Sequence, residues 1–194
     1  MLTSVAFVGA TLLICARAAT SNALEVWSLV ITMVAFLYFA AVSIALTFID
    51  VATHRLPNAI VMPCYPVGAV LLSSASLLVG DWQAMLTAVA GTAALFSFYF
   101  MLRYLQPTGM GGGDVKLAGV IGMYLGWLGW TSLAVGAFSA FLLGGAFGVV
   151  LLALGRVKRT TPMPFGPWML AGGWLGIVMG EAFETCCVGL SLPR

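Results

Sequence analysis

Of 194 residues, 62% are hydrophobic and only 7% charged, and mean hydropathy is +1.09. Soluble domains carry about a quarter of their residues as charges, so this composition excludes an ordinary soluble globular protein and describes an integral membrane protein. The formal net charge of +2 is small and scattered, with no basic stripe of the kind that tracks a nucleic-acid backbone, which argues against nucleic acid as a partner.

Hydropathy predicts membrane spans near residues 2–16, 26–49, 59–79, 82–102, 115–130, 132–154 and 165–186, each bounded by polar or Gly/Pro punctuation. The expected fold class is therefore an all-α polytopic membrane protein, a bundle of six or seven transmembrane helices. Residues 1–194 are read as one membrane-embedded domain with no room for a separate soluble one. In the first run, "ARA" at 16–18 resembles a signal-peptidase site, but the basic n-region of a signal peptide is missing, so 1–20 is read as a retained helix. The second run ends in "ALTFIDVATHRLPN", which carries Asp50. Between the fourth and fifth lies "PTGMGGGDVKLAG", with Gly111, Gly112 and Gly113 directly before Asp114.

Small residues recur every fourth position in the later runs: Gly122 and Gly126, then Ser132, Gly136, Ala140, Gly144 and Gly148, then Gly172, Gly176 and Gly180. Such stripes let helix backbones approach closely in a bilayer and are assigned to packing. Glu181 and Glu184 share a helical face near the outer boundary, where solvation accounts for them. The four cysteines, Cys15, Cys64, Cys186 and Cys187, form no C-x-x-C pair, and the one histidine, His54, stands apart from them. No metal site and no cofactor are expected. Cys15 and Cys64 read as small buried hydrophobes.

Basic residues in the loops orient the bundle. With alternating helices, Arg55, Arg103, Lys116, Arg156, Lys158 and Arg159 fall on one side and only Arg17 and Arg194 on the other, so the first side is read as cytoplasmic. On the same map Glu25, Asp81, Glu181 and Glu184 lie at the exterior side, leaving Asp50 and Asp114 at the cytoplasmic ends. A carboxylate at membrane depth is expensive to keep and is a functional-site hypothesis by default. Two on one face have a chemistry available to them. Held near one water, an ionised carboxylate serves as general base and a protonated one as general acid, and a peptide is cleaved without metal or covalent intermediate. Asp114 opens a helix, where the dipole favours its charge, and Asp50 closes one, so Asp114 is assigned the base and Asp50 the acid. The three glycines, lacking Cβ atoms, allow a substrate backbone close approach and permit positive φ.

Together "FIDVATHRLPN", "GMGGGDVKLAGVIGMYLG" and "TPMPFGPWMLAGG" resemble the signature segments of the prepilin peptidases, or type IV leader peptidases, which are G-x-G-D intramembrane aspartic proteases. The resemblance runs in order and spacing over roughly residues 48–175. It implies that Asp50 and Asp114 are the catalytic aspartates. It also implies supporting or substrate-binding roles for Arg55, Pro57 and Asn58 of the "RLPN" element, for Gly111, Gly112, Gly113 and Lys116, and for Pro164, Phe165, Gly166 and Pro167 of "MPFGP". Presenilin-like G-x-G-D proteases carry a Tyr-Asp pair, whereas here Ile49 precedes Asp50. The implied activity is removal of a short basic leader from a prepilin, pseudopilin, archaellin-like or Flp-type pilin precursor at the cytoplasmic face of the inner membrane, among membrane lipid. Long members of the family carry an insert with paired C-x-x-C motifs and methylate the new N-terminus. This sequence has no such pair, so N-methyltransferase activity is not expected of it.

Read without the resemblance, Lys116 snorkels to the interface, His54 and Arg55 are ordinary positive-side loop residues, and Pro164 suits a helix's first turn. The competing function class is a proton-coupled transporter with Asp50 and Asp114 as its relay, and a third is an inactive assembly subunit. No midplane acid or histidine extends a relay across the bundle.

Overall fold

The computed structural model describes residues 23–53, 56–105, 111–154 and 165–183. Among them all regular structure is helical: α1 (Ala23–Thr53), α2 (Asn58–Val79), α3 (Trp82–Leu105), α4 (Gly112–Leu128), α5 (Trp130–Ala153) and α6 (Gly166–Phe183). These match the last six predicted runs. The first run, and with it Cys15 and Arg17, lies outside the described residues, as do His54, Arg55, Arg156, Lys158, Arg159, Pro164, Glu184, Cys186, Cys187 and Arg194. Helices α1, α2 and α3, and α5 over Trp130–Val150, are long and apolar enough to cross a membrane. The protein is a multi-pass membrane protein.

One predicted span behaves differently. Helix α4 has 17 residues, which at 1.5 Å per residue is about 25 Å, short of the roughly 30 Å hydrocarbon core. Val115 and every residue from Leu117 to Gly126 are buried in it. A helix apolar on all sides is one enclosed by others, and here α1, α2, α3, α5 and α6 surround it, neighbouring one another in that order with α6 returning to α1. Hydropathy reports that a segment avoids water but not whether lipid or protein replaces the water.

Close approach explains how a helix can be so fully enclosed. A Cβ at Gly91 of α3 would stand 2.5 Å from the Gly122 carbonyl oxygen and 2.9 Å from Gly126 Cα of α4, so these two backbones touch directly. Helices α5 and α6 do the same: a Cβ at Gly176 would stand 2.6 Å from the Ser132 carbonyl oxygen and 2.8 Å from Gly136 Cα, while Gly172 faces Ala140 and Gly180 faces Ser132. The four-residue stripes are thus packing seams, as the spacing predicts.

Polar side chains in the interior are tied to backbone or to one another, as a medium without water demands. The Tyr124 hydroxyl donates to the Ala35 carbonyl at 3.2 Å, its ring stacked on Phe39 with centroids 4.5 Å apart. Trp127 Nε1–H donates to Ser76 Oγ at 2.8 Å, and the Ser28 hydroxyl to the Ala75 carbonyl at 2.8 Å. Cys64 is a buried free thiol, in keeping with its reading as a small hydrophobe. Because the helices alternate, Glu25 and Asp81, the latter capping α3 through the Ala84 N–H at 3.0 Å, lie at one end of the bundle. Asp50 and Asp114 lie at the other.

Candidate active site

Three elements deliver the site: the end of α1 with Asp50, the start of α4 with Asp114, and the start of α6 with Gly166. Asp50 is 3% exposed and Asp114 9%, so both carboxylates are inside the protein. They lie within electrostatic reach of each other. Both lie at the same end of the bundle, as their places in the sequence predict.

Each carboxylate is held by a glycine amide. The Gly111 N–H donates to Asp114 Oδ2 at 3.1 Å, the reciprocal half of a capping box with Asp114 at the third helical position. The Gly166 N–H, first in α6, donates to Asp50 Oδ2 at 3.1 Å across 116 residues of sequence. Asp50 closes α1 yet receives the amino end of another helix, so both acids sit at positive dipole ends. That removes the asymmetry on which the sequence-based assignment of base and acid depends.

The glycines act through missing side chains. Gly111 has φ −70°, and the positive-φ glycines among the described residues are Gly80 and Gly129, so the positive φ that the triple glycine permits is not used at Gly111, Gly112 or Gly113. What matters is space. A Cβ at Gly112 would run into the Arg103 guanidinium, one at Gly113 would stand 2.6 Å from Leu56 Cβ, and one at Gly166 would stand 2.7 Å from Asp50 Oδ2.

Lys116 Nζ donates to Asn58 Oδ1 at 2.9 Å, and the Tyr65 hydroxyl donates to the Lys116 carbonyl at 2.6 Å, so this lysine clasps α4 to α2. Pro57 takes the N-cap position of α2, its carbonyl accepting from Ile60 at 3.1 Å and Val61 at 3.3 Å. Phe165 packs its ring between Tyr99 and Phe141, centroids 6.2 and 5.8 Å away, which fixes the start of α6 against α3 and α5. Pro167 stands in the first turn of α6, where its missing N–H breaks no helical bond. Arg55 and Pro164, named from the sequence, are outside the described residues.

Two further residues belong to the site although sequence reasoning did not place them there. The Arg103 guanidinium, lying over Gly112, is a cation within electrostatic reach of Asp114, attracting the charge that Asp50 repels. Leu56 lies against Gly113 and reaches Gly166. Its position within "RLPN" was the available signal, but a leucine carries no chemistry that marks it as part of a site.

Comparisons with known proteins give the family. The profile of the type IV leader peptidase family matches residues 37–151. Among curated proteins, the chain is 34% identical over 142 residues to a prepilin leader peptidase/N-methyltransferase of Aeromonas salmonicida, covering 73% of this chain and 47% of that one. It is 30% identical over 139 residues to the protein of that name in Pseudomonas aeruginosa, covering 71% and 47%. This chain thus spans about half the length of the curated relatives it matches. No solved structure matches it. With both aspartates inside the matched segment and more than half of the sequence covered by the profile, the chain belongs to the type IV leader peptidase family.

Proposed function

We propose that this protein is an intramembrane aspartic endopeptidase that removes the short basic leader from prepilin-type precursors, with Asp50 and Asp114 as its catalytic residues. One observation carries the reading: two buried carboxylates within electrostatic reach of each other, delivered by separate helices to one end of the bundle and each held by a glycine amide. Family membership and the relatives' printed name support the substrate class.

The chemistry needs only these two groups and a water. Two like charges at close range in a buried site favour sharing one proton. The ionised carboxylate takes a proton from the water as its oxygen bonds to the scissile carbonyl carbon, and the protonated partner gives its proton to the carbonyl oxygen. As the tetrahedral intermediate collapses, a hydroxyl proton passes to the second carboxylate while the carbonyl re-forms and the C–N bond breaks, and the first carboxyl gives its proton to the leaving amine, so the pair is again singly protonated. Gly111 and Gly166 hold the carboxylates in place through these exchanges.

The site faces the cytoplasm across the inner membrane in this reading, supported by the basic residues Arg55, Arg103, Lys116, Arg156, Lys158 and Arg159 at the ends that carry the aspartates. The proposal covers the peptidase reaction alone; the N-methylation in the relatives' name is not assigned, since the sequence holds no C-x-x-C pair. A proton relay is less well supported: among the described residues no further Asp, Glu, His, Lys or Arg side chain is buried to carry a proton onward from the two aspartates.

The test is cleavage of a precursor with a basic leader and an apolar segment by the purified chain in detergent or liposomes, beside Asp50→Asn and Asp114→Asn. Leader release by the wild type and its loss in both variants is expected. Undiminished cleavage by either variant would refute the two-aspartate mechanism.

A further inference from the structure

Leu56 stands in the short link between α1 and α2, six residues after Asp50 and partly buried. It touches both of the other elements that build the site. A Cβ at Gly113 would lie 2.6 Å from Leu56 Cβ and 3.1 Å from its carbonyl oxygen, so the leucine is packed flat against the residue that precedes Asp114. A Cβ at Gly166 would lie 3.5 Å from Leu56 Cδ1, so the tip of the same side chain reaches the residue whose N–H holds Asp50.

The link is anchored so that this side chain has little freedom to move away. Proline at 57 confines Leu56 to extended backbone conformations, and the Pro57 carbonyl starts α2 through bonds to Ile60 and Val61. One residue further, Asn58 accepts the Lys116 ammonium at 2.9 Å, tying the link to α4 a second time, two residues beyond Asp114. Leucine neither donates, accepts nor titrates, and what it supplies here is volume. Glycines at 113 and 166 leave a space between the two arms that neither arm can fill with a side chain of its own.

We propose that Leu56 is a positioning residue for the catalytic pair: wedged between Gly113 and Gly166, it sets the spacing of the Asp50 and Asp114 carboxylates. The inference rests on the reading of that pair as a peptidase dyad. Both carboxylates must reach one water at about 2.6–3.2 Å, a tolerance of tenths of an ångström, and misplacement by 1 Å costs on the order of 100-fold in rate. A rigid apolar spacer held from both sides meets that tolerance.

Two measurements on the full-length chain in liposomes test this. In the first, a precursor with a basic leader is cleaved by wild type, Leu56→Ala and Leu56→Met. The alanine variant is expected to lose about 10- to 100-fold in kcat with KM little changed, and methionine, close in volume, to recover most of it. Equal kcat in wild type and Leu56→Ala, or a loss confined to KM, would overturn the proposal. The second needs no catalysis. With the four native cysteines replaced by alanine, Asp50→Cys and Asp114→Cys are cross-linked by bifunctional thiol reagents of graded length. One length is expected to react fastest when Leu56 is present, and that preference to shift or broaden in Leu56→Ala. An unchanged profile would overturn the spacer role. A changed profile in a protein that cleaves no precursor would instead refute the peptidase reading and leave the spacer standing.

Discussion

Gly166→Ala is the most incisive single change. The new Cβ would stand 2.7 Å from Asp50 Oδ2 and 3.2 Å from its Cγ, whereas non-bonded heavy atoms settle at about 3.5 Å or more. The carboxylate must therefore retreat by about 0.8 Å, and the 3.1 Å bond from the Gly166 N–H to Oδ2 stretches past the range in which a hydrogen bond survives. A hydrogen bond to a charged group is worth about 1.5–3 kcal/mol, so the expected loss in kcat/KM is about 10- to 100-fold. Stability should fall as well, by about 1–2 kcal/mol, since the preference for alanine over glycine in a helix, up to about 1 kcal/mol, offsets only part of the lost bond. Precursor cleavage and thermal unfolding, measured together, separate these effects. Gly145→Ala is the control, because a Cβ there meets nothing within 4 Å. Full activity in Gly166→Ala, or an inactive Gly145→Ala beside it, would refute the reasoning.

The remaining predictions concern packing and the clasp. Gly91→Ala forces a Cβ to 2.5 Å from the Gly122 carbonyl oxygen, where backbone cannot yield as a side chain would, and should lower stability by about 1–3 kcal/mol in detergent unfolding; an unchanged midpoint would mean that α3 and α4 separate at little cost. Lys116→Met and Asn58→Ala each remove the same 2.9 Å bond at a partly exposed site, so each should cost at most about 1 kcal/mol. The double variant should be no worse than either single one, and additive losses in a double-mutant cycle would show that the two residues act separately. Tyr124→Phe deletes the hydroxyl that donates to Ala35 at 3.2 Å while leaving the stack on Phe39, and about 1 kcal/mol of stability should go with it.

What the sequence makes legible follows from how strongly each feature is penalised elsewhere. A carboxylate at membrane depth is costly enough that Asp50 and Asp114 stand out unaided, and a glycine every fourth residue has few uses in a bilayer apart from close packing. The central place of α4 is not legible, because its apolar residues look the same whether lipid or helices surround them. Nor is the part played by Arg103, which reads as one more positive-side charge until the fold lays it over Gly112. Gly166 was named from its motif, but its bond to Asp50 spans 116 residues and no local pattern encodes it. The triple glycine invites an argument from backbone freedom, and the fold uses the absence of side chains instead.

That both aspartates are held at helix amino ends bears on which one acts as base. From helix position alone Asp114 would hold its charge and Asp50 its proton. With the Gly166 N–H of α6 on Asp50 and the Gly111 N–H of α4 on Asp114, each at 3.1 Å, one amide supports each anion. The two amides alone therefore do not assign the base, and the Arg103 guanidinium within electrostatic reach of Asp114 is the asymmetry that remains. Gly111→Pro probes the two amides: φ at 111 is already −70°, so the backbone accepts proline, and the ring carbon that replaces the N–H forces Asp114 Oδ2, 3.1 Å from that nitrogen, to withdraw. Gly111 is exposed, so water can solvate the withdrawn carboxylate, and the expected loss in kcat, about 10- to 100-fold for a charge-assisted bond, matches that of Gly166→Ala. A loss in a folded Gly111→Pro protein far beyond that of Gly166→Ala would mean that the α4 amide alone fixes the ionised carboxylate, returning the role of base to Asp114.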